Sequence, residues 1–285
     1  MRDVFMPSSL EELWRVRESR PEAILYHGGT DALVRLRNGR ENSSALICLE
    51  RAADLKKLEN QGDRIYIGAG LTHQEILDAP DIQKDLPILA KAVACLGSPP
   101  IRHMGTIGGN IVTASPAGDT LPPLYCCDAE VELASRNGSR KMPLKSFITG
   151  PGRTALEPGE ILLGVDVPKP RPFNIHHFEK VGSRKALAIA VVSLAALFFV
   201  DSERIIKRAR LAWGSVGPTI ISSEQVETFL IGKPLTDETL QQAAELVRRA
   251  VNPISDVRAT AEYRSLVAAN LIRRLALANT GDTLR

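Results

Sequence analysis

Apolar positions along the chain fall into short runs separated by glycine, proline and charge, and the runs change period several times. Residues 8–12 carry two overlapping capping-box spacings, Ser8 to Glu11 and Ser9 to Glu12. Leu10, Leu13 and Trp14 follow on one face, so a short amphipathic helix starts there and Pro21 ends it. Residues 23–26 predict a strand running into a Gly-Gly turn, and "ALVRLRNG" predicts a short helix closed by Gly39. Strands follow at 45–49 and in "RIYIGAG". Thr72 and Glu75 cap the next helix, and "LPILAKAVACLG" forms another that Gly97, Pro99 and Pro100 stop. A strand at 129–134 meets Asn137-Gly138, a hairpin signal, and "EILLGVDVP" predicts a further strand.

Beyond the proline-rich "PKPRPF" the pattern alters. Residues 176–181, the apolar run 186–200 and "RIIKRARLAWG" predict an antiparallel sheet, with the run as strand or strand plus helix and "DSER" as a turn. Ser222 to Gln225 has capping spacing. Leu240, Ala243, Ala244, Val247 and Val251 recur at helical spacing, as do Leu266, Val267, Leu271, Leu275 and Ala278. A sheet followed by helices is an α+β layout. The stiff proline segment places a domain boundary at 172/173, with an amino-terminal domain over 1–172 (subdomains 1–55 and 56–172) and a second domain over 173–285.

One stretch resists this reading. "RHMGTIGGNIVTASPAGDTLPP", residues 102–123, is too rich in glycine and proline for an ordinary helix. With "HGGTD" at 27–31 it makes two glycine loops. Glycines let backbone N–H groups converge into a nest that suits phosphate. Thr30, Thr106 and Ser115 add hydroxyls and Asn110 an amide, while Asp31 and Asp119 would accept from ribose hydroxyls or an adenine amine. Donor loops beside a lone acid suit a dinucleotide. Neither loop fits the dinucleotide fingerprint of the doubly wound fold or the P-loop, so a different phosphate-binding fold is required.

Composition narrows the classes. The 285 residues are 44% hydrophobic and 24% charged, ordinary for a globular protein. A net charge of +3 with 5% aromatics is too mild for nucleic acid. The longest apolar run is too short for a membrane span and the amino terminus has no apolar signal region. Four cysteines, Cys48, Cys95, Cys126 and Cys127, form no C-x-x-C pair; structural zinc and an internal iron–sulfur cluster are disfavoured, and the usage fits the reducing cytoplasm.

"GGTDALVRLRNG" and "GTIGGNIVTASPAGDTLPPLYCCDAEVEL" resemble the flavin-binding medium subunit of the molybdenum hydroxylases, the family of bacterial xanthine dehydrogenase and carbon monoxide dehydrogenase. The order of motifs, ending with "KVGSRKA", runs along nearly the whole chain. The resemblance implies the FAD-binding fold of vanillyl-alcohol oxidase and p-cresol methylhydroxylase, two α/β subdomains followed by a carboxy-terminal α+β domain. It implies noncovalent FAD contacts at Leu25, Tyr26, His27, Gly28, Gly29, Thr30, Asp31 and Ala32, and at Thr106, Ile107, Gly108, Gly109 and Asn110. Further contacts fall on Asp119, Leu162 and Lys180, with Ser115 as a donor beside the second loop. Leu96 stands where some relatives place an aromatic against the FAD.

Read without the resemblance, Leu162 is core and Lys180 a solvated charge, and Arg102 belongs in solvent. The implied partners are an iron–sulfur small subunit carrying 2Fe-2S clusters and a large subunit carrying molybdopterin. NAD+ or another acceptor would take the electrons, and no residue of this chain is expected to be catalytic. The competing expectations are a stand-alone flavin oxidoreductase of the same fold and a nucleotide-binding assembly module.

Overall fold

A computed structural model of the chain describes residues 2–184 and 187–277. The chain first builds β1 (Asp3–Phe5), α1 (Leu10–Ser19), β2 (Ile24–Tyr26), α2 (Ala32–Arg37) and β3 (Ala45–Cys48). The strands form a three-stranded parallel sheet in the order β1-β3-β2. Parallel neighbours need crossovers, and α1 and α2 supply them. Leu13, Ala45, Ile47 and Leu55 close a small core beneath this sheet. Ser9 caps α1 by accepting the Glu12 N–H, while the Glu12 carboxylate accepts from both the N–H and the hydroxyl of Ser8. The two overlapping spacings in the sequence are thus one shared cap.

The middle of the chain contains β4 (Leu58–Asn60), β5 (Arg64–Gly68), α3 (His73–Asp78), α4 (Pro80–Asp85), α5 (Pro87–Ala94), α6 (Pro99–Met104), α7 (Ile107–Thr113) and α8 (Leu121–Cys126). It continues through β6 (Glu130–Ser135), β7 (Gly138–Pro143), α9 (Leu144–Phe147), β8 (Ile148–Gly150), β9 (Arg153–Thr154) and β10 (Ile161–Pro168). A five-stranded antiparallel sheet, β4-β5-β10-β6-β7, buries one face under these helices. At the β6–β7 turn Ser135 pairs with Gly138, so the turn residues are Arg136 and Asn137, and Gly138 (φ 138°) opens the return strand.

The stretch 102–123 corrects the sequence reading. It enters three short helices rather than an irregular loop. Prolines 99, 100 and 122 sit in first turns, where an N–H has no helical acceptor to lose and a fixed φ is already suitable. The glycines of α7 are tolerated because Thr106 caps it, accepting the Gly109 N–H at 3.1 Å.

The last segment builds β11 (Ile175–Val181), β12 (Val192–Val200), β13 (Ile206–Gly214), α10 (Glu224–Leu230), α11 (Asp237–Ala250) and α12 (Ala261–Arg273). The strands form an antiparallel meander. One face (Phe178, Ala195, Leu197, Ala212) joins the middle core; the other, with Phe198, Trp213 and the apolar stripes of α11 and α12, makes a third core. The apolar run is strand from Val192 onward. The cap of α10 is Ser223, accepting from Val226, one residue beyond the predicted Ser222 spacing. Ala278, the last position of the predicted helical stripe, lies outside the described residues. Among the described residues no helix is long and apolar enough to cross a membrane.

One local prediction follows from the α3 start. Thr72 accepts the Glu75 N–H at 3.2 Å, and the Glu75 carboxylate accepts the Thr72 N–H at 2.7 Å, a complete reciprocal cap. Thr72→Ala is expected to lower stability by about 1 kcal/mol in urea unfolding; an unchanged midpoint would refute the cap's contribution.

Candidate functional site

The segment 69–73, following β5, pairs with the segment 105–108. Gly108 N–H donates to Ala69 O (3.0 Å), Ile107 N–H to Leu71 O (3.1 Å) and His73 N–H to Gly105 O (2.9 Å). This pairing seats the second glycine loop against the middle sheet. The first loop leaves β2 and crosses the carboxy end of α6 closely enough that a Cβ on Gly28 would lie 1.6 Å from Met104 O. Gly29 turns the chain at φ 69°, a left-handed conformation that glycine adopts without strain. A Cβ on Gly105 would lie 3.3 Å from Thr30 Oγ1. The two loops, more than 70 residues apart in sequence, are therefore in van der Waals contact.

Between them opens a cleft of about 430 Å³. It is walled by all eight predicted residues from Leu25 to Ala32 and by Thr106, Gly109 and Asn110, with Leu96 at its edge. Six predicted residues do not line it: Ile107, Gly108, Ser115, Asp119, Leu162 and Lys180. Ile107 is fully buried. Gly108 is a packing position, since a Cβ there would lie 2.5 Å from Ala69 Cβ and 2.7 Å from Ala69 O. Ser115 accepts the Ala117 N–H in a turn, and Leu162 belongs to the middle core.

The amides of the two loops differ. Among the described residues no protein acceptor takes the N–H of Gly28, Gly29, Thr30, Asp31 or Ala32. These successive free donors belong to residues that line the cleft, and a run of such amides suits an oxyanion. In the second loop Ile107, Gly108, Gly109 and Asn110 donate to Leu71 O, Ala69 O, Thr106 Oγ1 and Thr106 O. That loop contributes side chains and a shaped wall; the free donor row belongs to the first.

Asp31 is held by Arg35, one helical turn on, and accepts from Thr113 Oγ1 at 3.1 Å, while Arg35 also pairs with Glu41 at 2.9 Å. This clasp ties α2 to the end of α7 across the cleft mouth. Asp119 and Lys180 form a nearly buried pair at 2.7 Å, and Lys180 also donates to Cys95 O at 2.7 Å. Burial raises the Asp119 carboxyl to about 6 in spite of Lys180. Lys180 is thus no solvated charge. The pair sits behind the second loop, where Thr120 donates to Asn110 Oδ1 at 2.6 Å. Arg102 is likewise engaged, donating to Gln74 Oε1 and Leu96 O.

Two histidines line the cleft, His27 and His73. His73 is 3% exposed, and burial, helped by the nearby Arg102 guanidinium, lowers its pKa to about 4. Burial lowers His27 as well. His73 was not legible as a site residue, because only the pairing of 69–73 with 105–108 carries it to the first loop. A larger hollow, about 550 Å³, lies between the 168–173 segment, β13 and α10. Its wall contains the Asp128–Arg210–Glu227 ion pairs and no glycine loop.

A parallel sheet and an antiparallel sheet meeting over a cleft, with one wall a row of free amides, define a protein that binds a phosphate-bearing cofactor. Residues 1–170 match the family described as the FAD binding domain in molybdopterin dehydrogenase, and residues 177–278 match the CO dehydrogenase flavoprotein C-terminal domain. The sequence is 32% identical over 279 residues to the nicotinate dehydrogenase FAD-subunit of Eubacterium barkeri, covering 96% of this chain and 94% of that one. It is 31% identical to the xanthine dehydrogenase FAD-binding subunit of Escherichia coli O157:H7, over 93% of this chain and 92% of the other. The fold superposes on a chain of quinoline 2-oxidoreductase from Pseudomonas putida 86 with a TM-score of 0.92 at 28% identity, covering 97% of this chain and 96% of that one. For carbon monoxide dehydrogenase from Hydrogenophaga pseudoflava the values are 0.90 and 27%, with 96% and 95% covered. The chain belongs to the FAD-binding subunits of the molybdopterin-dependent dehydrogenases, which are oxidoreductases.

Proposed function

We propose that this chain holds FAD noncovalently in the cleft between its two glycine loops. It serves as the electron-transfer subunit of a molybdenum hydroxylase, between the 2Fe-2S clusters of a small partner subunit and an acceptor such as NAD+. The molybdopterin would sit on a large partner subunit. The observation that carries this reading is the row of free amides at Gly28–Ala32, residues that line a cleft which the second loop completes. Relatives that match over nearly the full length are named as FAD subunits and medium chains. All four cysteines are free thiols, which supports a cytoplasmic setting.

The residues present fit the cofactor. The amides of the first loop and the Thr30 hydroxyl would hold the diphosphate, with Gly109, Asn110 and Thr106 as the opposite wall. Asp119 does not line the cleft; paired with Lys180 beside Thr120, which donates to Asn110, it would help hold the second loop as the opposite wall. When bound, FAD takes electrons singly from clusters and releases them as a pair. The chain's own part is to bind and orient: Gly28 permits close contact of the loops, and the Asp31–Arg35–Thr113 clasp fixes α2 against α7.

Native purification tests this. Flavin absorbance bands are expected, in one complex with an iron–sulfur-absorbing partner and a molybdopterin-containing chain. A colourless protein that takes up no FAD would overturn the cofactor assignment, and a lone flavin-loaded chain with full dehydrogenase activity would overturn the electron-transfer role.

A further inference from the structure

His73 begins α3 and is 3% exposed, yet among the described residues neither ring nitrogen has a hydrogen-bond partner. Nδ1 is sealed in the protein without one. Nε2 is not sealed, and His73 is part of the cleft wall. The ring lies beside the first loop: a Cβ on Gly105 would be 3.3 Å from His73 Cδ2 and 3.3 Å from Thr30 Oγ1, so the imidazole edge and the hydroxyl flank one glycine. An unpaired polar side chain in such a place is costly unless something outside the chain completes it.

The tautomer follows from the same environment. A buried orphan N–H is rarer than a buried orphan acceptor. The proton therefore resides on Nε2, which leaves Nδ1 as the unpaired acceptor. With its pKa near 4 the ring is neutral at physiological pH and acts as a directed donor, not as a counter-ion. His73 lines the same cleft as Gly28–Ala32, whose unpaired amides suit an oxyanion.

We propose that His73 is an additional cofactor contact, its Nε2–H donating to an oxygen of the diphosphate bridge of FAD beside Thr30. This rests on the FAD reading above. It predicts opposite signs for binding and stability, because replacing an unpaired buried imidazole by an apolar ring removes a desolvated polar group from the apo protein while removing a donor from the complex.

The test is calorimetric titration of the full-length chain, stripped of flavin, with FAD, ADP and adenosine. His73→Phe is expected to weaken FAD and ADP by the same factor, about tenfold, to leave adenosine unchanged, and to leave the apo melting temperature unchanged or higher. His73→Gln, whose amide nitrogen reaches the Nε2 position, is expected to recover most of the loss. Unchanged FAD affinity in His73→Phe, a glutamine variant as weak as phenylalanine, or a loss that tracks a fall in apo melting temperature would each overturn the proposal alone. A wild-type chain that takes up no FAD would overturn the cofactor reading and this contact with it.

Discussion

Gly28→Ala is expected to yield a chain that no longer retains flavin, while Gly109→Ala folds at least as well as the wild type. The difference lies in what each added methyl meets. At Gly28 the Cβ would lie 1.6 Å from Met104 O, 2.3 Å from its carbonyl carbon and 3.0 Å from its Cα. These are backbone atoms, and the backbone there is anchored. The Gly105 N–H donates to Ile101 O at 2.7 Å and the Gly105 carbonyl accepts from His73 at 2.9 Å. No rotamer change relieves the overlap, so the first loop must move away from α6. Forcing a methyl into a closed contact costs about 1–3 kcal/mol and occasionally more, and this site is expected at the upper end. Displacing the amide row by the width of a methyl should weaken FAD about 100-fold, about 3 kcal/mol.

At Gly109 an added Cβ would meet, among the described residues and outside the helix's own backbone, Thr106 Oγ1 at 3.2 Å, and the residue is exposed on the cleft wall. Alanine is also favoured over glycine inside a helix by about 1 kcal/mol. Gly109→Ala should therefore keep or raise the apo melting temperature while lowering FAD affinity about tenfold, because its methyl narrows the cleft. Thermal unfolding of the apo chains and fluorescence titration with FAD separate the two cases. Wild-type FAD affinity in Gly28→Ala would remove the first loop from the site.

The contrast shows what sequence reasoning reaches. Period, caps and turn residues expose the local elements: the β2 and β3 strands, the Thr72–Glu75 cap, the β6–β7 hairpin and the helical stripes of α11 all have their cause within a few residues. The first glycine loop was visible as a loop for the same reason, whereas the second runs into α7. Their separate tasks were not visible. Gly108 must be glycine because Ala69 backs it, and Gly28 because Met104 does, and neither neighbour is near in sequence. The helices α6 and α8 were misread because proline was weighed as a breaker, when a proline in a first turn starts a helix. Asp31 looked like a free acceptor, although Arg35 at i+4 was a readable helical partner. His73 looked like any polar helix residue until the strand-like pairing of Thr72 with Thr106 brought it to the cleft.

Lys180→Met should destabilise the protein strongly at pH 8 and much less at pH 5. Lys180 and Asp119 are 10% and 9% exposed at the side chain and 2.7 Å apart, and one Asp119 oxygen has no partner. Burial lifts the Asp119 carboxyl from 3.8 to about 6, with Lys180 opposing the rise. A carboxyl raised on folding favours the folded state fully below 3.8, and that contribution is lost as the pH climbs through about 6. Removing the lysine takes away the opposing attraction and leaves a buried carboxylate alone, a change that costs about 3–5 kcal/mol. The loss should shrink at acid pH, because without the lysine the buried carboxyl is pushed up further and takes up a proton more readily. In the double variant Lys180→Met/Asp119→Asn neither charge remains, and apolar replacement of buried pairs is often neutral or stabilising. The double variant is thus expected to recover most of the stability at pH 8, with a coupling visible in the cycle of four proteins. Urea unfolding at pH 5 and pH 8 measures this, and an equal loss at both would mean that Lys180 acts by packing alone. The pair joins β11 to the segment behind Asn110, so Lys180→Met should also release FAD.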